Sequence, residues 1–255
     1  MTVIIDLTGP RTGSGPARLL DMVEGRSKSV FKTWLAERDQ AWRDAVEVVA
    51  MDGFTGFKTA ASEELPDAIA VMDPFHVVRL AGDALDKCRR RIQQDLHGHR
   101  GRAGDPLYSA RRTLHTGTSL LTDKQKTRLE QLFADDDHAA VEVTWAAYQR
   151  MITAYRETDP ARGRDLMNKL IASLSSGVPA ALVELRTLGR TLKQRAADVL
   201  AYFDRPGTSN GPTEAINGRL EHLRGSALGF RNLTNYIARS LLETGGFRPH
   251  LHPGL

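Results

Sequence analysis

The sequence predicts an α/β fold interrupted by a long helical stretch. Three observations carry this. Short β-prone runs at Val3–Leu7, Val46–Met51 and Ala68–Met72 alternate with helical patterns. From about His76 to Asp204 the pattern is helical only. A loop of turn residues, Pro206 to Pro212, then leads into one more helix. Alternating strands and helices are the mark of an α/β architecture.

Val3-Ile4-Ile5-Asp6-Leu7 reads as a buried strand closed by Gly9-Pro10, with a Gly/Pro-rich turn to Pro16. Ser29 can cap a helix that carries Val30, Phe31, Trp34 and Leu35 on one face. The run at Val46–Met51 reads as a second strand and ends at Asp52-Gly53. A short helix from about Gly56 to Glu64 stops at Pro66, and Ala68–Met72 makes a third strand that ends at Asp73. In the helical stretch, Thr122 and Gln125 form a capping-box pair. Asp135, Asp136 and Asp137 favour the positive end of the following helix. On that helix Val141, Trp145, Tyr148, Ile152 and Tyr155 form one apolar stripe. Gly177-Val178-Pro179 breaks the chain before a helix from about Ala180 to Phe203. The last helix starts near Pro212, and the Gly- and Pro-bearing end from 244 to 255 is expected to fray.

Composition narrows the function. No run approaches the roughly 20 apolar residues of a membrane span. Met1 to Pro10 lacks the basic-then-apolar order of a signal peptide. With Cys88 the only cysteine, a disulfide framework is excluded and a cytoplasmic location is expected. The net charge is +4. Residues 79–112 hold nine Arg/Lys against four Asp/Glu, and residues 186–255 hold ten against five. Two basic regions suit a phosphate backbone, and they equally suit two solvated helix faces.

Asp52 stands where a buried strand ends, the place at which ligands gather in open α/β sheets. An Asx turn or a helix cap would use it too. Glu214 lies in the first turn of its helix. At 100° per residue Asn217, Gly218 and Glu221 share its face, while Ile216, Leu220 and Leu223 lie opposite. A carboxylate there also simply complements the helix dipole. Asp73 and His76 follow the third strand as a metal, relay or hydrogen-bonded pair. Arg89, Arg90 and Arg91 wrap round a helix, so that at least one meets solvent and could meet phosphate. Arg224 and Arg231 are further candidates for DNA contact. His97 and His99 lack the partners for a zinc site. The sequence holds no phosphate loop and no serine-hydrolase elbow.

Four blocks together resemble the ISL-three family of insertion-sequence DDE transposases. They are Val46-Glu-Val-Val-Ala-Met-Asp52-Gly-Phe, Asp73-Pro-Phe-His-Val-Val, Thr208-Ser-Asn-Gly-Pro-Thr-Glu214-Ala-Ile-Asn-Gly-Arg-Leu, and Ala227-Leu-Gly-Phe-Arg-Asn-Leu. The resemblance implies an RNase H-like core split by an all-helical insertion. Residues 1–78 and 206–243 would form the core, residues 79–205 the insertion and residues 244–255 a flexible tail. It implies three carboxylates that hold two Mg²⁺ ions, or Mn²⁺, with Asp52 as the second and Glu214 as the third. Asp73, His76 and Asn217 would support them. Two metals roughly 4 Å apart can clamp both oxygens of an in-line phosphoryl displacement, and hard Mg²⁺ prefers carboxylate and water.

The family's first aspartate belongs to a strand ahead of Val3–Leu7, so the chain resembles an N-terminally truncated member. Asp6 matches the following strand and is expected to end it structurally. The function implied is metal-dependent cleavage and strand transfer of transposon-end and target DNA, incomplete and inactive in this chain. The resemblance also allows a homo-oligomer. The alternatives are a non-catalytic DNA-binding or inhibitory remnant and an RNase H-like nuclease or resolvase.

Overall fold

A computed structural model describes residues 1–247 as a mixed α/β chain rich in helix. The chain divides into two compact units. One joins Met1–Asp73 to the stretch that begins at Gly207, and the other is Pro74–Pro206.

In the first unit β1 (Thr2–Asp6) leads through the short helix α1 (Thr8–Thr12) into β2 (Arg18–Val23). The two strands pair antiparallel from Thr2↔Val23 to Asp6↔Arg18, with a register irregularity between Ile4 and Ile5. The stretch expected as a turn up to Pro16 therefore contains a helical turn, and β2 is an additional strand. Its buried residues Leu19 and Met22 are three apart instead of two. The irregular register has removed the alternation that would have marked a strand.

Helix α2 (Lys28–Ala36) is capped by Ser27, whose Oγ accepts from the Val30 amide at 3.2 Å. The cap is thus Ser27 and not Ser29. Helix α3 (Gln40–Asp44) is capped by Asp39. Strand β3 (Val48–Met51), helix α4 (Thr55–Glu64) and strand β4 (Ile69–Met72) follow. The two strands pair parallel with Val48↔Ile69 and Met51↔Met72 in register. A parallel pair needs a crossover, and α4 supplies it. Trp34, Leu35 and Leu65 form a core against which Ile4, Val23, Trp42, Val49 and Ala68 pack. The Trp34 indole N–H donates to Asp21 at 2.8 Å, so the buried ring keeps its polar partner.

The second unit contains helices and two 3-10 turns, with no strand among the described residues. The helices are α5 (Pro74–His97), α6 (Pro106–Leu114), α7 (Asp123–Phe133), α8 (Ala139–Arg156), α9 (Pro160–Ser175), α10 (Val183–Gln194) and α11 (Ala196–Asp204). Asp105, Thr122 and Asp159 cap α6, α7 and α9, and the Thr122–Gln125 capping box is formed in both directions. Helix α8 packs between α5 and α9, and α10 packs on both α9 and α5. Because α8 has helices on both sides, it buries Val141, Thr144, Tyr148, Met151 and Ala154. Trp145 and Tyr155 flank that face half-buried, against Phe133 and Phe203. The helix expected from Ala180 to Phe203 is broken at Arg195, whose guanidinium holds Asp198 at 2.6 Å.

Asp86 of α5 lies beside His115, at 3.5 Å, and Arg89, at 3.2 Å. The hydrogen bond from His115, against the opposing effect of burial and with help from the Arg89 charge, lowers its carboxyl to about 2. A lowered carboxyl contributes stability above its ordinary value of 3.8 and loses it as pH falls towards 2. After discounting for 31% side-chain exposure, about 1–2 kcal/mol is expected. Melting from pH 5 to pH 2 should show a shallower acid loss in Asp86→Asn than in wild type. Parallel curves would contradict this assignment.

The chain then returns to the first unit with α12 (Gly211–Ser226) and α13 (Leu233–Thr244). Ile216 and Leu220 of α12 bury against Leu19 and Met22, with Tyr236, Ile237 and Leu241 of α13 packed around them. The end expected to fray starts on the last residue of α13, and residues 248–255 lie outside the described residues.

Candidate functional site

The in-register pairing of Met51 with Met72 sets the next residues, Asp52 and Asp73, at the same end of the parallel pair. The Asp73 amide donates to the Met51 carbonyl at 3.0 Å and so extends the ladder by one bond. Asp73 is 2% exposed. Its Oδ1 accepts from the Asn210 amide at 2.7 Å, across 137 positions of sequence. The Asn210 carbonyl in turn accepts from the Glu214 amide at 2.9 Å in the first turn of α12. Asp73 thereby ties the start of α12 to the carboxyl end of β4. A carboxylate that accepts a buried backbone N–H fixes both groups, since leaving either alone would cost about 1–3 kcal/mol.

Asp52 Oδ1 accepts from the Phe54 amide at 2.9 Å, an Asx turn, and Oδ2 accepts from Arg26 Nη2 at 3.0 Å. Both oxygens of this half-buried carboxylate are engaged. Sequence reasoning missed Arg26. It lies in the turn after β2, which the alternation signal did not reveal, and nothing local marks it. Glu214 is exposed and Asn217 half-buried on α12, opposite the buried Ile216 and Leu220. His76 lies half-buried in the first turn of α5.

Asp6 caps the turn after β1 by accepting from the Thr8 amide at 2.8 Å, and it pairs with Arg18 at 2.6 Å. Burial raises its carboxyl, but the hydrogen bonds from Thr8 and Arg18 outweigh this and hold it below the ordinary value. It is engaged as a strand-end residue.

The basic candidates separate by exposure. Arg89 is 4% exposed, and its guanidinium donates to Gln93 and Asp86. Gln93 continues the chain of bonds to Asp105, the cap of α6. Arg89 is therefore an interior residue engaged within the helical unit. Consecutive arginines spread round a helix, and only the packing of α5 decides which one faces inward. Arg91 is held at 2.9 and 3.0 Å by both oxygens of Glu184. Arg90 is 53% exposed, with Asp86 at 3.5 Å. Arg224 is 60% exposed, with Glu221 at 3.4 Å, and Arg231 is exposed.

Among the described residues, no three His, Cys, Asp or Glu side chains group so as to hold a metal ion. With Asp52 engaged by Arg26 and the Phe54 amide, the donors as arranged do not fit a two-metal site. No described helix is long and apolar enough to cross a membrane.

The fold and site define an α/β protein with acidic residues gathered at parallel strand ends beside a helix start. The chain belongs to the DDE transposase family ISL3, described as "Transposase", whose model matches residues 1–240. It is similar to "Transposase for insertion sequence element IS1557" of Mycobacterium tuberculosis in each of two strains. The identity is 27% over 278 residues, which covers 99% of this chain and 60% of the relative. The chain thus spans 60% of the length of these relatives. No solved structure matches.

Proposed function

We propose that this chain acts on DNA as part of the catalytic apparatus of an insertion-sequence transposase. In this reading it has an RNase H-like core split by the helical unit, and Asp52 and Glu214 are the carboxylates it brings to the reaction. Asp73 acts through position, since it ties Glu214's helix to the end of β4, which pairs in register with the strand that precedes Asp52. The observation that carries the reading is the 2.7 Å bond from the Asn210 amide to Asp73. Membership of the DDE family supports a phosphodiester substrate and a divalent cation, and Mg²⁺ is the ion proposed because a hard octahedral cation takes carboxylate and water.

The donor set limits what the chain can do by itself. Two carboxylates, one of them paired with Arg26, do not make a two-metal clamp, so no bond-breaking step is assigned to a metal. Positioning and charge stabilisation supply most of the barrier reduction in phosphoryl transfer, so a site arranged without such a clamp is a poor cleavage catalyst. This favours a second reading, in which the 255-residue chain binds DNA without cutting it. Its exposed cations, Arg90, Arg224 and Arg231, are the proposed phosphate contacts.

Both readings meet in one experiment, which measures binding and cleavage of labelled element-end duplex over a salt series with Mg²⁺ or Mn²⁺. The expected result is binding that weakens as salt rises, a salt slope shallower by about 1 for each arginine replaced by glutamine, and no cleavage. Glu214-dependent cleavage would show that the chain suffices and would turn attention to Asp6. Absence of salt-dependent binding would remove DNA as the partner.

A further inference from the structure

The turn between α12 and α13 contains the only non-glycine residue with positive φ among the described residues, Leu228 at 53°. Leu228 is 97% exposed, the most exposed large apolar side chain among the described residues. Two separate costs meet here. A left-handed backbone at a residue with a Cβ costs about 1 kcal/mol, which is why glycine usually takes that position after a helix. A fully hydrated leucine gains nothing from burial. The helix end itself is well made. The Gly229 amide donates to the Arg224 carbonyl at 2.9 Å, and the Leu228 amide donates to the Gly225 carbonyl at 3.0 Å. Phe230 packs on Tyr236 with ring centroids 5.0 Å apart, which anchors the turn to α13. A hydrogen-bonded hairpin tip thus holds one strained, solvated apolar side chain outward.

We propose that Leu228 is a wedge that enters a base step of duplex DNA. This rests on the reading of the chain as a DNA-acting transposase. The surroundings select the occupant. A protein partner needs a contiguous apolar patch of several hundred Å². In the turn Leu228 is flanked by Ala227 and Gly229, and the one other apolar side chain, Phe230, is half-buried against Tyr236. A base step accepts a single apolar side chain, and flanking cations hold the phosphates on either side. Arg224 and Arg231 stand four residues before and three residues after Leu228, both exposed.

The test uses the full chain as wild type, Leu228→Gly and Arg224→Gln, with a fluorescent duplex of about 30 base pairs. Leu228→Gly relieves the backbone and should raise Tm by about 2–4 °C. It should still weaken duplex binding about tenfold with an unchanged salt slope, because no charge is lost. Arg224→Gln should lower the slope instead. Equal binding by wild type and Leu228→Gly would overturn the wedge and leave the DNA reading standing. A wild type that self-associates through this turn, with a monomeric Leu228→Gly variant that binds duplex as well as wild type, would replace the wedge by a copy-to-copy contact. A wild type that does not bind duplex would overturn the wedge and the DNA reading together.

Discussion

Replacing Gly189 by alanine should destabilise the helical unit by about 3 kcal/mol or more. A Cβ at this position of α10 would collide with the Leu174 carbonyl oxygen of α9 and lie 2.6 Å from its carbon. These are backbone atoms, so no flexible side chain can move aside. The helices would have to separate along a contact that buries Leu185, Leu188 and Leu192 on one side and Leu170, Ile171 and Leu174 on the other. Helix propensity pulls the other way, since alanine is better than glycine inside a helix by about 1 kcal/mol. Crowding exceeds that gain. Gly218 in α12 is the control, because a Cβ there meets nothing within 4 Å. Gly218→Ala should therefore raise stability by about 0.5–1 kcal/mol. Urea titration of both variants decides the matter. If Gly189→Ala were as stable as Gly218→Ala, the close approach of α9 and α10 would be wrong.

What the sequence made legible was what local chemistry determines. The Thr122–Gln125 capping box depends on four neighbouring residues, and it forms. The runs ending at Met51 and Met72 are dense in β-branched and apolar residues, and β3 and β4 lie within them. The outward Glu214 follows from the 3.6-residue period that buries Ile216 and Leu220 on the opposite face. What depends on distant partners was not legible. Strand β2 escaped notice because its register irregularity spaces Leu19 and Met22 three apart. The break at Arg195 comes without glycine or proline, in a stretch that otherwise reads as one helix. Arg89 and Arg90 are indistinguishable by type and neighbourhood, yet one is interior and the other exposed. Arg26 reaches Asp52 across 26 positions, and no pattern in either segment announces the pair.

In the proposed function Asp52 and Glu214 serve one site although they stand far apart in sequence. Mn²⁺ titration followed by electron paramagnetic resonance of the free ion tests it most directly. Wild type, Asp52→Asn, Glu214→Gln and the double variant would be compared, with far-UV circular dichroism to show that each is folded. Two carboxylates alone should bind one ion weakly, with Kd of about 10⁻⁴–10⁻³ M, the range of weakly held divalent cations. Each single substitution should weaken that binding about tenfold or more. The double variant should bind no worse than either single one, because residues that act as a unit are non-additive. Losses that add independently, or binding that neither substitution alters, would contradict a shared site.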